Sequence, residues 1–367
     1  MTETSLSLRL KDHRPEPVEG ALPDIDKWLA ASGLQKAIRR GKQGEALTCT
    51  RILVDVDPQR LWRRVAVIAM EDVGVADMAA VADTILASRS KVWRDENGGD
   101  WLTASFVVSN LAAAVKCRGA DDLGLVAVFD PDYKEARAEL ACATDATLCD
   151  VVADATQPLT CRSLAALYLS GTNRWSAPAL PRRRGQLSIL LEVFSHIGVP
   201  EYVIETIRGG AAKEAGALPC NLGLLWLQVT NSPTQTIRDE RDGLTHLGTI
   251  NGLSSEAFDV HTRLGKRALA YFAKACAPVR EFVARHVPER DVNTVIAMLV
   301  WHAETSLVDR RLIYDGSEAI IEMAKVAHVA SGAFPGERVD EAIDLMRLHL
   351  PDLHRARLRV TESSDVA

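Results

Sequence analysis

The chain has 367 residues, of which 47% are hydrophobic and 25% charged, with a formal net charge of −6 and a pI of about 5.9. This composition is typical of a folded protein long enough for two or three domains. The acidic balance excludes a globally basic nucleic-acid-binding protein and leaves only local basic patches for phosphate. Aromatic residues make up 5% of the chain, which favours packed helices over a β-sandwich.

The cysteines and the apolar stretches indicate the cellular compartment of the protein. The seven cysteines are scattered and form no C-x-x-C pair, so the sequence does not predict a zinc ribbon. Their distribution is typical of a protein in a reducing cytoplasm. The amino terminus lacks the apolar segment of a secretory signal, and no apolar stretch reaches the roughly 20 residues that a membrane span needs. We therefore expect a cytoplasmic protein with no membrane partner and no cofactor. The cysteines are Cys49, Cys117, Cys142, Cys149, Cys161, Cys220 and Cys276.

The first half of the chain predicts a polar leader followed by a helical bundle. Residues 1–22 are expected to be disordered, and residues 23–170 to form the bundle. Asp57-Pro58 is typical of a helix start, with Asp as N-cap and Pro at the first helical position. Gly74 is expected to end that helix, and Asp77 to cap the next one.

The second half predicts a separate helical domain, which makes the whole chain all-α. Residues 121–135 fit either a short strand or a buried helix. Residues 171–185 are rich in proline, glycine and arginine and predict a linker between domains. Residues 186–355 are expected to form the second helical domain, with a long loop at 230–253, and residues 356–367 a frayed tail.

Motifs for nucleotide hydrolysis are missing. Gly41-Lys42 and Gly265-Lys266 lack the upstream glycine and the following Ser or Thr of a phosphate-binding loop. No dinucleotide fingerprint, nucleophile elbow or H-E-x-x-H motif occurs either. The sequence thus excludes a P-loop ATPase and identifies no reaction, which favours a non-catalytic role.

One segment carries a family resemblance. Residues 34–77 contain K-A-I-R from Lys36, D-P from Asp57, R-R from Arg63 and A-M-E-D-V-G-V-A-D ending at Asp77. This pattern resembles the carboxy-terminal, collar-like helical region of the replication-associated recombination AAA+ ATPases, which are relatives of clamp loaders. The resemblance covers about residues 26–90.

The resemblance implies an oligomer-forming helical module and does not extend to an ATPase. Only about 30 residues precede the matched segment, where the family carries its ATPase, and the later half of the chain does not match the family. The residues that carry the family-like motif are Arg63, Arg64, Glu71, Asp72, Gly74 and Asp77.

Within that motif, Glu71 and Asp72 form an acidic pair with two interpretations. The pair could be functional, or it could cap a helix or form ion pairs with Arg63, Arg64 or a neighbouring helix. Adjacent residues on an α-helix do not face each other, so the two carboxylates are not expected to hold one ion jointly. We therefore expect a structural role.

Two basic segments are candidates for binding phosphate, a nucleic-acid backbone or an acidic partner. The first comprises His261, Arg263, Lys266 and Arg267 on a predicted helix, where Arg263 and Arg267 share a face. The second comprises Arg182, Arg183 and Arg184, for which an exposed linker is the alternative. For the first segment, the alternative is a solvated or internally paired face.

A metal site is the competing hypothesis for the second half. Asp259, His261, His302 and His328 offer the carboxylate and imidazole ligands of a helical phosphohydrolase. The hypothesis requires these four side chains to converge in space. The adjacent His-Asp pair usual in such sites is missing.

Together these patterns predict a non-catalytic oligomerising or adaptor protein associated with DNA replication, recombination or repair. It is expected to form a homo-oligomer and to have DNA or DNA-replication proteins as partners. The alternatives are a metal-dependent phosphohydrolase or nuclease and a purely structural helical interaction module, the last being favoured by the acidic pI.

Overall fold

Helices make up most of the computed structural model, which describes residues 2–18, 20–173, 175 and 180–362. Helix accounts for 71% and strand for 4% of the chain, so the predicted all-α class is confirmed. Among the described residues, no helix combines the length and apolar character needed to cross a membrane.

The first half consists of helices joined by short turns. In chain order these are α1 (Glu3–Asp12), α2 (Lys27–Arg39), α3 (Gln43–Val56), α4 (Pro58–Ile68), a π-helical turn (Ala69–Val73), a 3-10 turn (Gly74–Asp77), α5 (Met78–Arg89), α6 (Lys91–Glu96), α7 (Gly99–Ala113), α8 (Gly119–Phe129), a 3-10 turn (Pro131–Tyr133), α9 (Lys134–Cys142), α10 (Asp145–Ala153) and α11 (Leu159–Ser170).

In the second half, the described residues add further helices and four short strands. They are α12 (Leu187–His196), α13 (Glu201–Ala211), α14 (Ala217–Thr230), β1 (Gln235–Asp239), a 3-10 turn (Arg241–Gly243), β2 (Thr249–Ile250), β3 (Leu253–Ser254), a 3-10 turn (Ser255–Ala257), α15 (Arg263–Ala275), α16 (Ala277–Ala284), α17 (Glu289–Val300), a π-helical turn (Trp301–Thr305), β4 (Arg310–Tyr314), α18 (Ser317–Ala330), a 3-10 turn (Gly336–Arg338), α19 (Val339–Leu348) and α20 (Leu350–Glu362).

The predicted helix signals around α4 and α5 are confirmed. Asp57 accepts a hydrogen bond from the backbone N–H of Arg60 at 3.1 Å, and Pro58 is the first residue of α4. Asp77 caps α5 by accepting from the N–H of Ala80 at 3.0 Å. Side-chain oxygens thus satisfy donors that a helix start leaves free.

The ends of the described chain are more ordered than predicted. Residues 3–12 form α1, whose Leu6 and Leu10 are buried in the core, so the predicted disorder of this part is wrong. Two leucines four residues apart bury one side of the helix. Helix α20 continues to Glu362 with Arg357 buried, which corrects the predicted fraying up to that residue. Residues 363–367 lie outside the described residues.

The hydrophobic core does not divide at residues 171–185. One cluster of buried side chains includes Leu167 of α11 and Phe194 of α12, on opposite sides of this segment. The backbone N–H of Gln186 also donates to the carbonyl of Leu169 at 2.6 Å. The predicted boundary is therefore corrected, although residues 174 and 176–179 of the segment lie outside the described residues. A second cluster of buried side chains begins at Phe272, in α15, and continues into α20.

Two other predicted segments are resolved by the structure. Residues 235–239, within the predicted loop 230–253, form β1, which pairs antiparallel with β4 in a two-stranded sheet. The ambiguous segment 121–135 is mostly helical, because α8 extends to Phe129 and its apolar residues are buried. The strand pairing joins residues more than 70 positions apart, which local patterning does not reveal.

Candidate functional site

Helix α2 places three cations inside the protein. Asp26 starts the helix by accepting from the N–H groups of Trp28 and Leu29 at 2.8 Å. Lys36, Arg39 and Arg40 are then all buried, with 1%, 0% and 5% of their surface exposed. An unpaired buried charge costs several kcal/mol, so each of these side chains requires an anionic partner.

Their partners form a network that we call the buried ionic network. It contains six cations and six carboxylates, and all of them except the half-buried Glu71 are buried. Its members are Lys36, Arg39, Arg40, Lys116, Arg118, Arg357, Glu71, Asp72, Glu256, Asp259, Glu304 and Asp309.

The adjacent carboxylates of the family-like motif share the same two arginines. Arg39 bonds Asp72 at 2.6 Å and Glu71 at 2.5 Å, and Arg118 bonds both carboxylates as well. Both acids lie in the π-helical turn Ala69–Val73, where the changed helical spacing alters the directions of neighbouring side chains. These contacts agree with the structural role expected for the pair.

The other residues of the motif have separate positions. Arg64 bonds Gln35 on α2, and Arg63 is exposed without an ion-pair partner among the described residues. Gly74 has a φ of +49°, and a Cβ there would lie 2.6 Å from the carbonyl oxygen of Cys117. Only glycine fits this position without strain.

The pKa values of two neighbouring carboxyl groups, those of Glu71 and Asp121, are shifted in opposite directions. Burial alone would raise the pKa of Glu71, but the charges of Arg39, Arg118 and Arg64 outweigh it and lower the pKa to about 2. Burial raises the pKa of Asp121, which contacts Arg118, to about 7. Carboxyl groups with separated pKa values are typical of general acid–base sites.

Two cavities beside this network are too small for a substrate. One cavity, bordered by Arg118, Asp122 and Tyr314, measures about 10 Å³. Another, bordered by Asp259, Trp301 and Arg357, measures about 20 Å³. Each volume is close to that of a single water, so neither of these two cavities can hold a substrate.

A buried ion pair joins the two segments that the sequence analysis singles out. Lys36 of α2 pairs with Asp259, and Asp259 also accepts from the backbone N–H of His261 at 2.9 Å. Burial opposes ionisation of Asp259, but the charge and hydrogen bond of Lys36 lower its pKa to about 2. The pair therefore connects segment 34–77 to the segment before α15.

The carboxy-terminal helix enters the same network. Arg357 of α20 bonds both carboxylate oxygens of Glu304, at 2.8 and 2.6 Å. Arg40 pairs with Glu256 and donates to the carbonyl of Glu304 at 2.8 Å. Helix α2 is thus bonded to segments that lie more than 200 residues away in sequence.

Sequence reasoning missed more than half of this network, including Arg40, which directly follows the K-A-I-R motif. Lys116, Arg118, Glu256, Glu304, Asp309 and Arg357 carry no motif, and their partners are far away in the chain. The available signal was the isolated charge in an apolar run, such as Lys116 after L-A-A-A-V. Charged residues are seldom fully buried unless they are paired.

Helix α15 presents the predicted basic cluster to solvent. Its N-cap is Thr262, and Arg263, Lys266 and Arg267 are all exposed on one side, which we call the basic face. Gly265 lies on the opposite side, where a Cβ would collide with the carbonyl of Asp259. Close packing against the carbonyl of Asp259 therefore accounts for the glycine at this position. His261 precedes the helix and does not lie on the basic face.

The three consecutive arginines do not form one patch. Arg183 is half-buried and bonds the carbonyls of Ala141 and Ala143 at 2.9 and 2.7 Å, together with Asp145. Arg182 and Arg184 remain exposed. Arg183 therefore holds the segment against the end of α9.

The proposed metal ligands of the phosphohydrolase hypothesis do not converge. His302 and His328 bond each other at 3.0 Å, and burial lowers the pKa of both rings, that of His328 to about 4. Asp259 is instead paired with Lys36, and no described group of close ligand atoms joins it to His261, His302 and His328. This four-residue metal site is therefore excluded.

Comparisons of the chain with protein-family models, with curated proteins and with solved structures found no match.

Proposed function

We propose that this protein is a non-catalytic helical adaptor that binds an anionic partner, the DNA backbone in the first place, through the basic face of α15. The observation that carries the proposal is the exposure of Arg263 and Lys266, which have no ion-pair or hydrogen-bond partner for their side chains among the described residues. Every cation of the buried ionic network is paired, so these two differ from it in being available to a partner.

The spacing of the basic face supports this proposal. Arg263, Lys266 and Arg267 follow at i, i+3 and i+4, which directs them to the same side of the helix. Helix α15 therefore presents three positive charges along about one turn, and phosphates along a nucleic-acid backbone can contact such a row. The net charge of −6 argues against DNA binding through the whole surface, so binding would have to use a local basic patch.

The link to DNA replication and the homo-oligomer rest on the family resemblance of residues 34–77. The apolar sides of the helices in the first half are buried within the chain, so self-association would need other residues. Trp28 and Val56 are 53% and 62% exposed and lie beside the ion pair between Lys27 and Asp57. We propose that Trp28 and Val56 form part of the contact between copies of this chain.

Binding to labelled DNA at low salt tests the proposal. Fluorescence anisotropy would compare duplex DNA, single-stranded DNA and a polyglutamate peptide. Arg263→Ala combined with Lys266→Ala is expected to weaken DNA binding at least 10-fold and to reduce the salt dependence by about two phosphate contacts. Lys11→Ala with Lys134→Ala, which removes two exposed lysines from other helices, is the matched control. A wild-type protein that binds no DNA at low salt would contradict the DNA part of the proposal.

Native mass spectrometry tests self-association. The wild-type protein is expected to form a defined oligomer that dissociates more readily when Trp28 and Val56 are both changed to Ser. Val92→Ser removes another exposed apolar side chain and serves as the control. A monomeric wild-type protein at micromolar concentration would contradict this part.

A further inference from the structure

Two helix junctions of the second half bring a cysteine, a histidine and an aspartate together. Cys276 ends α15 just before α16, and His349 separates α19 from α20, which begins with Asp352 in its first turn. Helix α15 packs against α20, so the two junctions meet. One ligand atom from each of the three side chains lies within 4.8 Å of the other two.

The surroundings leave room for an ion and for a further ligand. The three residues border a cavity of about 400 Å³ that Tyr271 and Arg359 also line. Cys276 is buried with 6% of its surface exposed, whereas His349 and Asp352 are half-buried at the cavity wall. The site is therefore open on the side of the cavity and closed on the side of the core.

Existing contacts already orient two of the three side chains. His349 Nδ1 and Asp352 Oδ2 are 2.8 Å apart, and Arg355 bonds the other oxygen of Asp352. A pair three residues apart on a helix would explain His349 and Asp352 alone. It does not explain why a buried thiol from another helix junction lies beside them.

We propose that Cys276, His349 and Asp352 bind one zinc ion, with a fourth coordination position open to the cavity. A thiolate, an imidazole and a carboxylate are the ligands that zinc accepts, and three protein ligands with one open position are usual for zinc sites that are not purely structural. The thiolate disfavours magnesium and calcium, which prefer oxygen ligands.

Binding requires a simple exchange of partners. The Cys276 thiol loses its proton to solvent and its sulfur binds the ion, as does a neutral His349 nitrogen. Asp352 Oδ2 leaves the His349 ring for the ion, while Oδ1 stays with Arg355. An outer contact of this kind fixes the orientation of a ligating carboxylate.

Metal titration of the chelator-treated full chain tests the proposal. Calorimetry with zinc is expected to give one ion per chain, and cobalt(II) is expected to give the absorption of a cobalt–thiolate bond. Cys276→Ser and His349→Gln are each expected to weaken zinc binding at least 100-fold, and Cys276→Ser to abolish the cobalt–thiolate absorption. Cys142→Ser, which changes an exposed cysteine at the end of α9, is expected to leave both unchanged.

Two results would overturn the proposal. One is a wild-type protein that takes up no zinc and shows no cobalt–thiolate absorption. The other is zinc binding that Cys276→Ser and His349→Gln leave unchanged. Circular dichroism checks that each variant is folded, and if Cys276→Ser does not fold, His349→Gln and the cobalt spectrum of the wild type decide the question. Zinc is also expected to raise the melting temperature of the wild type and not that of His349→Gln.

Discussion

The buried ionic network and the basic face use the same residue types for opposite purposes. Arg39 at the end of α2 and Arg40 directly after it are enclosed by carboxylates from distant segments. Arg263 and Lys266 in α15 point into solvent instead. Both sets occur on helices and both look alike in the sequence. What separates them is the environment of the helix, because α2 is buried on nearly all sides and α15 on one.

This difference has a consequence for energies. Removing one partner of a buried ion pair leaves an uncompensated charge in the interior and typically lowers the free energy of unfolding by about 3–5 kcal/mol. An exposed pair contributes roughly 0–1 kcal/mol. Changes in the network should therefore reduce stability, and changes on the basic face should reduce binding.

The largest effect is expected from the pair that joins the two segments. Lys36→Met leaves Asp259 buried without its cation and should lower the free energy of unfolding by about 3–5 kcal/mol in urea denaturation. Adding Asp259→Leu should recover much of that loss, because no buried charge then remains unpaired. Lys91→Ala breaks the exposed pair with Asp95 and should cost less than about 1 kcal/mol. Equal losses for Lys36→Met and Lys91→Ala would remove the distinction between the two regions.

A smaller loss is expected at the glycine of the family-like motif. Gly74→Ala forces a side chain into a positive-φ conformation and against the carbonyl of Cys117, so unfolding should become easier by about 3 kcal/mol. Thermal denaturation measures this loss. Gly243→Ala is the control, since a Cβ there meets nothing within 4 Å and its φ is ordinary. A fully stable Gly74→Ala protein would show that the turn between α4 and α5 can relax.

The pH dependence of stability offers a third test, at a buried carboxyl group that has no ion-pair partner among the described residues. Glu214 has one oxygen that is buried without a hydrogen-bond partner among the described residues, and burial raises its pKa to about 7. Because the folded pKa lies above the unfolded one of 4.5, the group favours folding most at low pH, and this contribution is lost as pH rises through about 7.

Glu214→Gln should therefore stabilise the protein above pH 7 by about 3 kcal/mol relative to wild type. The advantage should disappear near pH 4.5. Chemical denaturation at both pH values measures it. A stabilisation that does not change with pH would mean that the substitution acts through packing and not through the charge.

The smallest effect on stability is expected at the basic face. Arg263→Ala with Lys266→Ala should change the free energy of unfolding by no more than about 0.5 kcal/mol, since both side chains are exposed and neither is paired within the described part of the chain. The same variant should lose DNA binding, as proposed above. A large loss of stability would show that the face has a structural role.

Local features of this fold could be predicted from the sequence, and distant contacts could not. The caps at Asp57 and Asp77 depend on residues within three positions, so the local pattern contains the whole interaction. Lys36 and Asp259 are 223 residues apart, and no pattern in one chain pairs them. The strand β1 was missed for the same reason, because its partner is β4.

Two features departed from what the local pattern indicated. The charged and proline-containing residues after α1 suggested disorder, although Leu6 and Leu10 already had the spacing of a buried helix side. Glu71 and Asp72 were judged by ordinary α-helical geometry, which the π-helical turn changes. The candidate metal ligands at two helix junctions had no motif spacing, so only the packing of α15 on α20 brings them together.

The length of chain between Lys36 and Asp259 also matters for protein synthesis. At about 5–20 residues per second, a ribosome needs roughly 10–45 s to add the 223 residues that separate them. During that time α2 carries a cation whose partner does not yet exist. The amino-terminal helices are therefore expected to remain loosely assembled on the ribosome and to close only after the later segments have emerged.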